Sequence, residues 1–172
     1  LMQDVYAVYE ELYADEKVTC RMQESAMREQ AREEFLEAFA KDNEKTLVGF
    51  CIMGGIFSEG IDLDGEKLIG AAVVGAGIPQ VGPERELLKQ YFDRNGENGF
   101  DYAYRYPGMN KVLQAAGRVI RTTEDRGVIL LLDERFRNRE YRELFPREWE
   151  DCQVVQRNRL SGLIEQFWKD QV

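Results

Sequence analysis

The sequence predicts an α/β fold, a mainly parallel central sheet with helices on both of its faces. Three apolar runs carry this expectation: TLVGFCIMGG (46–55), KLIGAAVVGAG (67–77) and RGVILLLDE (126–134). Each has strand length and is apolar almost throughout, the pattern of strands covered on both faces. Stretches of helical periodicity alternate with them, as crossover helices between parallel strands would. At 172 residues, with 44% hydrophobic and 32% charged residues, the chain has the size and composition of one globular domain spanning 1–172.

The elements follow in order. Residues 1–13 place Val5, Val8, Tyr9 and Leu12 at helical spacing. After a turn at 14–17, VTCRM is a short strand. Ser25 is positioned to cap a helix running to about Lys41, with Glu29 near its start and Phe35, Leu36 and Phe39 on its apolar side. The first two apolar runs come next. A loop holding Pro79, Gly82 and Pro83 then leads into a helix through roughly Arg94, and the glycine-rich NGENG ends it. Pro107 opens the following helix, because a missing N–H is no loss in a first helical turn, and that helix is expected to reach Thr122. After the third apolar run, RFRNREYRELF reads as a basic helix, and NRLSGLIEQFWKDQ as an amphipathic one over 158–170. No internal repeat or low-complexity run interrupts this order.

Composition removes several classes of function. The chain has no histidine, so Ser-His-Asp triads, Cys-His dyads and H-E-x-x-H metal sites have no basis. Cys20, Cys51 and Cys152 are odd in number and widely spaced, without C-x-x-C, which argues against a disulfide framework or a zinc site and for thiols in a reducing cytoplasm. No metal-ligating set is expected. No apolar run has the length of a membrane-spanning helix, and LMQDVYAVYEELYADEK lacks the basic and apolar regions of a signal peptide. The first residue is not Met and is already part of an amphipathic pattern, so a fragment of a longer protein is expected. A net charge of −9 argues against a nonspecific polyanion binder. The charge is uneven, however: the first forty residues are strongly acidic, and 105–142 holds the densest run of arginines.

Two constellations stand out. In QAAGRVIR (114–121), a helix would project Gln114, Arg118 and Arg121 from one face at i, i+4 and i+7, while Ala115, Ala116, Val119 and Ile120 pack inward. Guanidinium groups suit bidentate binding of phosphate oxygens. The plain alternative is a solvated face paired with an acid such as Glu124. In GGIFSEGIDL (54–63), directly after an apolar strand, Gly54, Gly55 and Gly60 would let backbone N–H groups approach an anion. There Ser58 offers a hydroxyl, and Glu59 and Asp62 offer carboxylates for a ribose hydroxyl or for orienting an arginine. The plain alternative is a glycine-containing turn. Two further stretches are set aside. GVILLLDE looks like a magnesium-holding strand, but no G-x-x-x-x-G-K-[ST] loop accompanies it, so Asp133 is not assigned to a metal. GAGIPQVG lacks the helix that a dinucleotide turn needs, because Pro79 interrupts it.

Taken together, GGIFSEGIDL followed some fifty residues later by QAAGRVIRTTEDRGVILLLDERF resembles the C-terminal RecA-like domain of superfamily-two DNA helicases, in the DinG/XPD-like branch. The first stretch is similar to helicase motif V and the second to motif VI with its trailing strand. LVGFCIMGG, PERELLKQYFDRNG and FDYAYRYPGMNKVLQ are also similar to that branch, so the resemblance covers roughly 1–145. Residues 1–13 look like the helix that follows motif IV.

The resemblance implies a three-layer RecA-like domain serving as the second motor domain of an ATP-dependent helicase. It implies that Arg118 and Arg121 reach the γ-phosphate of ATP held on a first RecA-like domain, and that Gln114 senses nucleotide. It places Gly60 and Asp62 near the nucleotide, Gly54, Gly55 and Ser58 at the nucleic-acid backbone, and Glu59 between the two. Partners implied are ATP, single-stranded DNA and the first motor domain. The phosphate-binding loop, the magnesium-binding Asp-Glu motif and the four-cysteine iron–sulfur cluster of many members belong to that first domain, and the three cysteines here do not stand in for the cluster. The alternative from another class is an interaction domain for nucleic acid or protein that keeps this fold without the motor.

Overall fold

The computed structural model describes residues 1–24, 26–40, 44–55, 57 and 67–170. These form two compact units, Leu1–Ala71 with Asn110–Gly127, and Ala72–Met109 with Val128–Val172.

The first unit begins with α1 (Met2–Tyr13), β1 (Val18–Met22), α2 (Glu29–Ala40) and β2 (Thr46–Phe50). β1 and β2 pair in parallel, with Val18 opposite Thr46 and Met22 opposite Phe50. The α2 crossover between them supplies the connection that parallel pairing requires. α1 packs on the pair through Tyr6 and Tyr9, whose rings meet Phe50 edge-on at 5.4 and 5.6 Å. From α2, buried Phe35 stacks on buried Phe57 at 4.4 Å. α2 starts at Glu29 and ends at Ala40; the expected cap Ser25 and the expected last residue Lys41 lie outside the described residues. The apolar run 46–55 is not one strand, since β2 stops at Phe50 and the chain turns at Met53 and Gly54.

β3 (Gly70–Val74), which enters the second unit at Ala72, is hydrogen-bonded to β4 (Val128–Leu132), and the ladder continues from Gly75 N–H to the Leu132 carbonyl at 3.3 Å. Val73 is buried while Val74 is 55% exposed, so this apolar run is covered less fully than its composition suggests. α3 (Pro83–Arg94) carries Pro83 in its first turn and stops at Asn95, as the NGENG break requires. Gly77, at φ +63°, lies against Gly108: a Cβ at Gly77 would stand 2.6 Å from the Gly108 carbonyl oxygen. Glycine there lets the loop after β3 touch a helix backbone directly.

The helix expected to open at Pro107 begins earlier. A π-helical turn, Asp101–Arg105, runs directly into α4 (Tyr106–Ala116). Pro107 therefore lies inside helical backbone, where its absent N–H leaves the carbonyl four residues back without a donor. That carbonyl belongs to Ala103, and the Arg85 guanidinium of α3 donates to it at 2.9 Å. The wide π turn fits a chain that must absorb a proline. Across the turn Arg105 pairs with Asp101 at 2.7 Å and lies 5.3 Å from the centre of the Tyr141 ring.

The expected basic helix 135–145 is instead broken into a 3-10 turn, Glu134–Arg137, the short α5 (Arg139–Arg142) and a second 3-10 turn, Arg147–Trp149. Phe136 and Tyr141 are both buried. At a spacing of five, one helix would set them about 140° apart; Asn138, extended at φ −73° and ψ 141°, interrupts the helix so that both turn inward. α6 (Arg157–Lys169) forms as the periodicity requires.

Arg85→Ala should lower stability by about 1–3 kcal/mol, because it strips a proton donor from a buried carbonyl that proline cannot serve. In an Arg85→Ala/Pro107→Ala double variant the new residue-107 N–H takes over, so urea denaturation should show a loss smaller than the sum of the two single changes. Strict additivity would disprove this account of Arg85.

Candidate functional site

The site grows from the end of the β1–β2 pair. Past Phe50 the ladder runs out, and Gln23, 6% exposed, takes over its hydrogen bonds. Gln23 N–H donates to the Phe50 carbonyl at 2.8 Å, and its Oε1 accepts from Ile52 N–H at 3.0 Å. Gly55 N–H then closes a turn on the Ile52 carbonyl at 2.9 Å. Gly54, at φ +74°, occupies the left-handed region that glycine enters without strain. Gly54 and Gly55, expected to face a nucleic-acid backbone, thus form a tight turn at the carboxyl end of a parallel strand, where ligands of α/β sheets bind. Ser58, Glu59, Gly60 and Asp62 lie outside the described residues.

α4 approaches the same turn. A Cβ on Gly54 would stand 2.9 Å from Cε and 3.4 Å from Nζ of Lys111, so this lysine lies across the bare glycine. One helical turn further, Gln114 is exposed. Val112 and Ala116, together with Val119 beyond the helix, are buried and hold the segment in place.

The expected arginine stripe on one long helix is not what forms. α4 ends at Ala116, and Arg118 lies in the turn that follows, with Arg121 beyond it in irregular backbone. Two local effects stop the helix. Gly117 is about 1 kcal/mol less favourable in a helix than alanine, and it makes the last such bond, to the Leu113 carbonyl at 2.8 Å. Next, the Asp125 carboxylate gathers the backbone N–H groups of Arg121 and Thr122, each at 2.8 Å. A short acidic side chain offering this bond competes directly with helix continuation. Arg118 remains half-buried with its Nε enclosed, whereas Arg121 is exposed. Gln114, Arg118 and Arg121 are still brought into one unit with Gly54 and Gly55.

The two backbone N–H bonds from Arg121 and Thr122 hold the Asp125 carboxyl below its ordinary value of 3.8, and the Arg121 charge adds to the effect. Asp133 is occupied otherwise: its Oδ1 accepts from Arg135 N–H and Nε at 2.9 Å each, and its Oδ2 from Nη2 at 2.6 Å. Among the described residues no group of three or more His, Cys, Asp or Glu side chains converges as a metal site, and the three cysteines are free thiols. Residues that could hold magnesium or an iron–sulfur cluster are thus not found in the described part of this chain.

Sequence reasoning missed two residues of this site. Gln23 follows a strand whose half-buried positions alternate with exposed ones, and a buried polar group at its end marks a handover of backbone bonds. Lys111 precedes Gln114 by three residues, a helical neighbour spacing.

A parallel-stranded α/β domain with a glycine turn at a strand end and cations beyond a neighbouring helix has the form of a RecA-like domain. The helicase C-terminal domain family matches residues 1–152, and the chain belongs to it. It is similar to the ATP-dependent DNA helicase DinG of Photobacterium profundum, 36% identical over 104 residues, which is 59% of this chain and 15% of that protein. It is also similar to the ATP-dependent DNA helicase YoaA of Haemophilus influenzae, 30% identical over 120 residues, covering 68% of this chain and 18% of that one. Among solved structures an XPD helicase shares the fold at a TM-score of 0.55 and 19% identity, over 80% of this chain and 25% of that one. The chain spans less than a fifth of the length of these two curated relatives.

A carboxyl whose folded pKa is depressed contributes stability above its unfolded pKa and loses it as pH falls through the folded value. Asp125 should therefore titrate below 3.8, and the amide resonances of Arg121 and Thr122 should move with the same midpoint. Asp125→Asn should abolish that shared titration; amides that still follow the acid step in this variant would show that another group holds the turn.

Proposed function

We propose that this chain is the second motor domain of an ATP-dependent DNA helicase, working with a first RecA-like domain to couple ATP hydrolysis to movement along single-stranded DNA. One observation supports it above the others. α4 and the turn hooked by Asp125 carry Gln114, Arg118 and Arg121 in the same unit as the Gly54–Gly55 turn. Groups assigned to the nucleotide and groups assigned to the strand thus share one compact unit.

In this reading a water attacks the γ-phosphorus of ATP bound on the first domain, and ADP leaves. Charge spreads over the γ-phosphoryl oxygens as the bond to ADP loosens, and fixed guanidinium groups of Arg118 and Arg121 stabilise it. Magnesium bound with the nucleotide on the first domain would supply further neutralisation of phosphate charge. Arg121 is exposed and able to reach across a cleft, while half-buried Arg118 is the more rigid of the two. Gln114, on α4, reports the nucleotide to the helix, and the resemblance assigns Gly60, Asp62 and Glu59 to the nucleotide. Gly54, Gly55 and Ser58 let a strand's phosphodiester backbone approach closely. A cytoplasmic setting and a role in DNA repair fit this activity.

The 172-residue chain alone is expected to bind ATP weakly and to show no turnover. In the full-length protein Arg121→Ala should reduce kcat for ATP hydrolysis by about 10³–10⁵, the range for a trans-acting arginine. A steady-state ATPase assay reads both; near-normal turnover by that variant would return Arg121 to an ordinary surface charge.

A further inference from the structure

From the position of Lys111 over the Gly54 turn, we infer that its ammonium group holds a phosphodiester of the bound single strand, a contact point additional to the glycine backbone. The inference rests on the motor-domain reading and deepens it. Gly54 is exposed and has no side chain, so the turn leaves room for a neighbouring side chain to lie against its backbone. The Lys111 stem fills the space a side chain would have taken, with Cε 2.9 Å and Cδ 3.1 Å from the Cβ position of Gly54, and its Nζ follows at 3.4 Å. A lysine laid down in this way has already lost much of the rotamer freedom, up to about 2 kcal/mol, that a surface lysine gives up on gripping a ligand.

Charge selects the ligand. Within the first unit, 1–71 is strongly acidic, while 110–127 carries Lys111, Arg118, Arg121 and Arg126 against only Glu124 and Asp125. An anion drawn to this unit is therefore drawn to α4 and the turn behind it. A compact ammonium acts on phosphate as a point charge and reads no base edge, which suits a motor that must grip every sequence. Lys111 and Gln114 are neighbours at i and i+3, about 4.5 Å apart along the helix axis. The same helix thus bears the strand-gripping cation and the nucleotide-sensing amide on adjacent turns.

The test is the salt dependence of single-stranded DNA binding by the full-length protein, with Lys111→Met and Lys111→Arg beside wild type. Methionine keeps the stem over Gly54 and removes the charge. If Lys111 neutralises one phosphate, the slope of log K against log salt should become shallower by about 0.7 in Lys111→Met, and arginine should restore it. A Lys111→Met slope equal to wild type overturns the inference while leaving the helicase reading intact, whether or not the variant is less stable. A wild-type protein with no affinity for single-stranded DNA overturns both.

Discussion

The carboxamide of Gln23 stands where two parallel strands part, and the geometry of the first unit's site follows from how it is satisfied. The backbone N–H of Gln23 completes the last rung on Phe50, and its side-chain Oε1 captures Ile52 N–H after β2 has left the ladder. A buried acceptor of this kind, deprived of its donor, costs about 1–3 kcal/mol, so the turn is fixed more firmly than an exposed glycine pair would be by itself. Gly55 adds a steric condition, since a Cβ there would lie 3.0 Å from Gln23 Nε2 and 2.9 Å from the Ile52 carbonyl oxygen. Because the turn is rigid and bare, Lys111 can lie across it.

Electrostatics and packing divide the work beyond α4. Val112, Ala116 and Val119 anchor the segment by burial, and the shape of the backbone after the helix is set by a single carboxylate that binds two N–H groups. Asp125 thereby contributes negative charge close to Arg121 while fixing the arginine's main chain.

How much of this was legible in the sequence follows from the range of the forces involved. The apolar runs and the 3.6-residue periodicities report burial, and α1, β1, α3, β4 and α6 formed where those signals lay. The resemblance to helicase motifs singled out Gln114, Arg118, Arg121 and the Gly54–Gly55 stretch from residue types at fixed spacing, and these lie in one unit. What periodicity could not register was competition from side chains for backbone bonds. Asp125 ends a helix whose apolar pattern continues to Ile120, and Asn138 breaks one whose charges looked continuous. The Arg85 bond to Ala103 joins residues 18 apart, so no local window contains the reason that Pro107 is tolerated. Gln23 and Lys111 likewise acquire their roles only from partners distant in the chain, at Ile52 and Gly54.

The repair of the proline defect also bears on how the second unit opens. The Arg85–Ala103 bond does not stand alone: Phe92 of α3 stacks on Tyr102 at 3.9 Å, Tyr104 donates to Glu86, and Gly99 N–H binds the Asp93 carboxylate at 2.9 Å. Each of these joins α3 to the π turn or its approach. A helix interrupted by proline cannot hold its own carbonyls, and here the missing donor arrives from a neighbouring helix. Fraying of α3 therefore removes a bond that the π turn relies on, and unwinding of the turn strips α3 of its stacking and hydrogen-bonding partners. The two behave as one cooperative unit whose amides become accessible to exchange together, with a single opening free energy in place of two.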